Sequence, residues 1–376
     1  MKKRLITPGP TPLPQEVIRA MAQPMIHHRW PACADLQKQV VQGLQYVLQT
    51  ENEVLLLTSS GTGAMEAAVA NLHSPGDKVL VVRGGNFGDR WAKICKAYGL
   101  NVISIDIPWG AAVDPQAVAK HLKVEKDIKT VFATSCETST GVAHDLAAVT
   151  EVTRSHPALL IVDAVSGLCS EELQTDQWQI DVVISATQKG LMCPPGISFI
   201  SLNGVAWERT TTASLPKFYW DFTEMRKFSE RHQTPFTPAI TTLYALKAAL
   251  DLIREEGLDN IIARHTHLAE SCRAAMTALG LDLFAQRPAN ALTAVRVPGE
   301  VDGVELLQHI HQHLGATIAG GQAQLRGKIF RLAHLGHADD LDLIAAIAAL
   351  ERGLAAAGHD FTAGAGLLAA QKLSSR

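Results

Sequence analysis

The apolar run Leu159-Leu160-Ile161-Val162 ends in Asp163, and 26 residues beyond that acid stands Lys189, within Ile184-Ser185-Ala186-Thr187-Gln188-Lys189-Gly190. Both runs have the length and the aliphatic content of buried strands. An acid therefore sits at one strand end and a lysine just past the next. A primary amine that condenses with an aldehyde, beside a carboxylate that keeps an aromatic nitrogen protonated, is the pair that pyridoxal 5'-phosphate chemistry requires. Taken alone the pair does not decide the matter, because acids end many parallel strands and a lysine after a strand is usually solvated.

A second segment adds to it. Glu53-Val54-Leu55-Leu56-Leu57 leads into Thr58-Ser59-Ser60-Gly61-Thr62-Gly63 and then the helical pattern Ala64 to Ala70. A strand, a turn rich in glycine and hydroxyls, and a helix N-terminus present free N–H groups and the positive end of the helix dipole to an anion. The segment lacks the lysine of a P-loop and does not spell G-x-G-x-x-G, so it suits a phosphate-bearing cofactor other than ATP or NAD.

These groups need a scaffold, and the chain supplies one. Lys78-Val79-Leu80-Val81-Val82, Asn101 to Ile105, Thr130 to Ala133 and Asp181 to Ile184 read as buried strands, with helices expected over Asp89 to Tyr98 and Leu146 to His156. Such alternation builds a mostly parallel sheet with helices on both faces, and ligands then bind at the carboxyl ends of the strands. Ile197 to Leu202 extends the strand set. A polar stretch, Phe218 to Pro238, precedes a helix over Thr241 to Glu256. Strands over Ala291 to Val297 and Lys328 to Ala333, with helices over Ile261 to Leu279, Val304 to His313 and Asp339 to Ala357, form a smaller α+β unit. The expected organisation is an N-terminal arm (1–20), a large domain (21–257) and a small domain (258–376).

At 376 residues, 47% hydrophobic and 19% charged, the chain can bury a substantial core. Its net charge of −3 gives no electrostatic footprint for nucleic acid or an anionic membrane. No apolar run approaches the roughly 20 residues of a membrane span. The basic start Met1-Lys2-Lys3-Arg4 is followed by prolines, not by a signal core, so a cytoplasmic location is expected. Six cysteines without CxxC spacing read as reduced thiols.

Thr7-Pro8-Gly9-Pro10-Thr11-Pro12, His28-Arg29, Ser60-Gly61-Thr62, Glu137-Thr138-Ser139-Thr140-Gly141, Asp163-Ala164-Val165-Ser166, Thr187-Gln188-Lys189, Pro194-Pro195-Gly196 and Phe330-Arg331 follow one another in an order that resembles the class V aminotransferases of PLP fold type I. Within that family the chain is similar to the alanine–glyoxylate and serine–pyruvate group, over nearly its whole length. The resemblance implies an α/β fold with a mostly parallel seven-stranded type of sheet and a smaller α+β C-terminal domain. It implies pyridoxal 5'-phosphate on Lys189, with Asp163 at the ring nitrogen, and Ser60, Gly61, Thr62 and Gln188 at the phosphate. Phe87 would stack on the ring, although a core phenylalanine is the alternative. Thr138 would bond the ring hydroxyl or else cap the next helix. Arg331 matches the family's carboxylate-binding position, where its planar fork can make two parallel hydrogen bonds, and Gly9 would add a backbone contact to the same carboxylate. Thr234 would reach the phosphate of the other subunit in a homodimer.

The chain also departs from the pattern. Arg231 stands where relatives of the alanine–glyoxylate type carry a tyrosine on the phosphate, and Thr62 replaces a histidine of the animal members. Arg231 either lends charge to the phosphate or turns outward. The expected reaction moves an amino group from alanine or serine to glyoxylate or pyruvate. Alternatives are a cysteine desulfurase or related lyase, donors such as 2-aminoethylphosphonate, ureidoglycine or aspartate, and a non-catalytic scaffold. A desulfurase needs a mobile cysteine late in the chain, where only Cys272 stands, inside a helical pattern. His309, His311 and His313 suggest a metal at first, yet only His309 and His313 share a helix face and no acidic or cysteine partner is evident, so no metal is expected.

Overall fold

The computed structural model describes residues 2–374. Leu159–Asp163 and Val182–Ala186 are buried along their whole length, as strands covered on both faces must be. They lie at the centre of a seven-stranded sheet of order Glu53–Leu57, Ser198–Leu202, Val182–Ala186, Leu159–Asp163, Thr130–Thr134, Lys78–Arg83, Asn101–Asp106. Ser198–Leu202 runs antiparallel to both of its neighbours, and the remaining pairs are parallel. Side chains alternate between two apolar layers. Leu160, Val162 and Val183 pack with Val40, Leu44, Leu246 and Leu250, from helices Pro31–Leu48 and Ile240–Glu256. Leu159, Ile161 and Ile184 face the opposite way, against Ala64 and Ala68 of helix Gly61–Leu72 and Trp91 and Cys95 of helix Asn86–Ala97. Each fully buried aliphatic side chain contributes roughly 1.5–3 kcal/mol, and the two layers fix the sheet so that its strand ends are rigid.

A second sheet has the order Arg4–Ile6, Ala316–Gly320, Ile329–Ala333, Leu292–Arg296. The arm strand Arg4–Ile6 joins it in parallel, while the others pair antiparallel. Helices Leu258–Ala278 and Asp340–Ala356 cover it through Leu268, Cys272, Ile347 and Leu350. The whole is an α/β fold with a smaller α+β part.

Several element limits differ from the sequence reading. Helix Asn86–Ala97 begins three residues before Asp89, so Phe87 lies in its first turn and not in a preceding loop. Helix Gly61–Leu72 likewise takes in Gly61 and Thr62. The polar stretch 218–238 contains helix Phe222–Ser229, whose first turn is capped by the Asp221 carboxylate accepting from the Thr223 and Glu224 amides. The helix expected over Val304 to His313 is α-helical only for Gly303–His309 and continues as a π-turn, Ile310–Leu314, ended by Gly315 at φ +69°. Ile310 there packs against Gly353, where any side chain would collide with it. Among the described residues no helix is long and apolar enough to cross a membrane.

Candidate active site

Asp163 is the last residue of its strand, and its Oδ1 accepts from the Val165 amide at 2.8 Å. The other carboxylate oxygen accepts no hydrogen bond among the described residues. Burial pushes this carboxyl up to about 6; the Val165 hydrogen bond opposes the rise, as do the Arg90 and Lys189 charges, while Glu137 adds to it.

Lys189 follows the adjacent strand by three residues and is buried. The N-terminal arm folds over it. Nζ donates to the Pro8 carbonyl at 2.6 Å, and the Thr11 hydroxyl donates to the Lys189 carbonyl at 3.0 Å. Gly9, at φ +146°, lies so close that a Cβ there would overlap the lysine from Cδ to Nζ. Burial lowers the amine to about 8, with Arg331 and Arg90 lowering it further and Cys136 and Asp163 pulling the other way. An amine tuned toward neutrality is a competent nucleophile and proton carrier.

Beyond the edge strand Glu53–Leu57, helix Gly61–Leu72 starts after Ser60, whose side chain makes no capping bond. Gly61 allows close approach to the Asp163 loop, since a Cβ would come within 2.8 Å of Val165 Cγ2. The Thr62 hydroxyl accepts from Arg90 Nη1 at 3.0 Å. Gln188 Oε1 is buried without a partner.

Phe87 and Gly88 donate their amides to the Glu137 carboxylate, which also takes the Ser139 hydroxyl and amide. The Arg90 guanidinium lies 4.8 Å from the Phe87 ring centroid. Next to Glu137, Thr138 donates its hydroxyl to Ser166 and offers its carbonyl to Arg331 Nη1 at 2.8 Å. Arg331 Nε and Nη2 bond the Gly320 carbonyl at 3.1 and 2.8 Å. Arg331 is 4% exposed and in no salt bridge among the described residues, and its guanidinium is lowered to about 10 by burial, against the Glu137 charge. Two of its five N–H groups, one on each Nη, are unspent.

Gly9, Lys189, Asp163 and Arg331 thus converge, and Gly61, Thr62 and Phe87 are tied to them through Val165 and Arg90. Thr234 does not join them within one chain. Its hydroxyl donates to the Phe236 carbonyl, and it lines a separate cavity of about 410 Å³ with Glu53 and Gln37. Arg29 braces that loop at the Thr234 and Pro235 carbonyls. Arg231 is exposed, with its guanidinium 5.2 Å from the Phe228 ring centroid. The His309 and His313 rings stand 4.8 Å apart, and among the described residues no three potential metal ligands come together. Sequence reasoning overlooked Arg90, whose partners lie 3 and 28 residues away, and took Glu137 only as one letter of a motif.

The donor set fits pyridoxal phosphate. A buried amine, a carboxylate oxygen without a partner, an uncapped helix N-terminus and a glycine cradle over the lysine are what its aldehyde, ring nitrogen and phosphate would meet.

The family profile described as Aminotransferase class-V matches residues 5–329. The chain is 43% identical to a protein of Synechococcus sp. named "Soluble hydrogenase, small subunit", over 100% of this chain and 99% of that one. It is 37% identical to L-aspartate–glyoxylate aminotransferase of Paracoccus denitrificans, over 98% and 95% respectively. Among solved structures, ureidoglycine–glyoxylate aminotransferase from Bacillus subtilis matches with a TM-score of 0.95 at 30% identity, covering 100% of this chain and 99% of that one.

Proposed function

The chain belongs to the class V aminotransferases, and we propose that it moves an amino group from a small amino acid, alanine or serine, to glyoxylate or pyruvate, with pyridoxal 5'-phosphate held on Lys189. The observation that carries this reading is Arg331: a buried guanidinium in no salt bridge among the described residues, close enough for its charge to be felt at the Lys189 amine. An unpaired buried charge is costly to keep, and a substrate carboxylate would neutralise it.

Pyridoxal phosphate, when bound, supplies the electron sink that lets a proton leave the α carbon. The protein's part is positional. Arg331 orients the substrate through its two unspent N–H groups and the α-carboxylate. Lys189 Nζ takes the proton from the α carbon and returns it, which its lowered pKa suits. Asp163 sets a negative charge opposite the ring nitrogen, and Phe87 supplies an apolar face. The arm over Lys189 keeps water from the amine.

Relatives with glyoxylate in their names share that acceptor and differ in donor. A small donor is favoured here by the likeness to serine–glyoxylate aminotransferases, which match 98% of this chain at 35% and 34% identity. The desulfurase alternative needs an accessible thiolate, whereas Cys272 is fully buried in helix Leu258–Ala278 and its thiol is pushed up to about 11.

The reaction is assigned to the cytoplasm, consistent with six free, buried cysteines. The active form is a homodimer. An aromatic cluster beside Thr234 supports it, with Phe218 82% exposed and Tyr219 stacked on Phe236 at 4.9 Å.

The test is a single-turnover screen of alanine, serine, aspartate, ureidoglycine, 2-aminoethylphosphonate and cysteine, following loss of the cofactor's visible absorbance and its return with glyoxylate or pyruvate. Alanine or serine should react fastest. Faster reaction of another donor, or sulfide release from cysteine, would replace the assignment. Borohydride reduction and peptide mapping should place the label on Lys189, and Lys189→Ala should abolish turnover.

A further inference from the structure

Arg90 is half-buried and, among the described residues, forms no salt bridge, although its charge reaches the Asp163 carboxylate. Its Nη1 donates to Thr62 Oγ1 at 3.0 Å, and its guanidinium lies 4.8 Å from the centroid of Phe87, one helical turn before it. A hydroxyl has one O–H to give and two lone pairs to receive with. Since Arg90 occupies a lone pair, the Thr62 O–H must point elsewhere, and no acceptor takes it among the described residues. That unspent donor stands in the first turn of helix Gly61–Leu72, whose leading amides are also without a side-chain cap. The guanidinium itself is fixed on its other side by the aromatic face.

Resting on the cofactor reading above, we propose that Arg90 is a positioning residue for the phosphate: it aims the Thr62 hydroxyl proton at that dianion, lends the dianion its positive charge, and links the phosphate cup to the Phe87 ring. The same charge is felt at Asp163 and Lys189, which places Arg90 within electrostatic reach of the whole site.

The experiment uses purified protein stripped of cofactor and titrates it with pyridoxal 5'-phosphate and with pyridoxal, which has no phosphate. The variants are Arg90→Gln, Arg90→Lys, Thr62→Val and the double variant Arg90→Gln/Thr62→Val. Arg90→Gln should weaken pyridoxal phosphate binding by about 10- to 100-fold, as expected for loss of a charge-assisted contact, with pyridoxal affinity within about twofold of wild type. Arg90→Lys should fall between. The double variant should lose little more than the worse single one, because both changes break one unit. In ³¹P NMR the bound phosphate should remain dianionic to lower pH in wild type than in Arg90→Gln. Unchanged affinity for pyridoxal phosphate, equal losses for both ligands, or additive losses would overturn the proposal, equal losses marking a merely structural arginine. If wild-type protein bound neither ligand at Lys189, the functional reading would fall first, and Arg90 with it.

Discussion

Arg331 is held by two backbone carbonyls and, among the described residues, by no salt bridge, so its charge is available and its plane is fixed. A lysine there would keep the charge and lose the fork. Arg331→Lys should lower kcat/KM for amino acids about 10- to 1000-fold, roughly 1.4–4 kcal/mol, while a primary amine without a carboxylate should react poorly with both proteins and be nearly indifferent to the change. Comparing the two compounds in both proteins tests this; equal losses would make Arg331 structural. Asp163 presents the opposite case, a residue that costs stability to keep. Its carboxyl is raised from 3.8 to about 6, chiefly by burial. The folded, cofactor-free protein therefore holds this proton more tightly than the unfolded chain does. The stability it contributes is complete below about pH 4 and lost as pH rises through 6. Asp163→Asn, a neutral mimic, should stabilise the cofactor-free protein at pH 8 by up to roughly 3 kcal/mol, with the gain vanishing near pH 4, and should lower turnover by several orders of magnitude. Urea unfolding at the two pH values reads the first effect and steady-state rates the second. A destabilised Asn variant with near-normal turnover would leave Asp163 as an ordinary strand-end acceptor.

The strand ends that carry Asp163 and Lys189 were legible because strands buried on both faces are written as unbroken apolar runs. The helix starts were not, and the reason is physical. Neither Ser60 nor Gly85, the residues before the two site helices, makes a side-chain cap. For helix Asn86–Ala97 the acceptor is Glu137, some 50 residues away, which no local pattern announces. Helix Phe222–Ser229 did carry a readable local signal, Asp221 followed three residues later by Glu224, lost in the polar composition around it. The burial of Arg331 was hidden for another reason: its strand mates show only that one face is apolar, and the face it occupies is closed by the Glu137-Thr138 segment from the other sheet's side of the molecule. Glu137 accepts from donors on both oxygens, so Glu137→Gln must set an N–H₂ against a donor in either flip. That should cost about 1–3 kcal/mol, measurable in urea. Wild-type stability would show that the cap on the Phe87 helix does not depend on the carboxylate.

At the scale of the whole molecule, the proposed division near Gly257 sets Lys189 and Asp163 on one side and Arg331 on the other, with the arm returning across both. Thr11 bonds Lys189 and Arg4–Ile6 joins the second sheet. One component stays apart: Thr234, which within this chain faces a separate cavity. A two-fold dimer would bring one subunit's Thr234 loop to the other's Ser60-Gly61-Thr62 turn, so that neither subunit alone has a complete phosphate site. Mixing two inactive proteins tests that geometry. Lys189→Ala lacks the amine, and Thr234→Glu sets a negative charge against the phosphate. In a hybrid dimer the wild-type Lys189 of one subunit meets the wild-type Thr234 of the other, giving one intact site and one doubly defective site. After complete random exchange half of the dimers are hybrids, and about a quarter of wild-type activity should return. Exchange is followed independently with two affinity tags. Proven exchange without recovery would mean that each subunit's Thr234 serves its own chain or no site, and the shared-site dimer would be withdrawn.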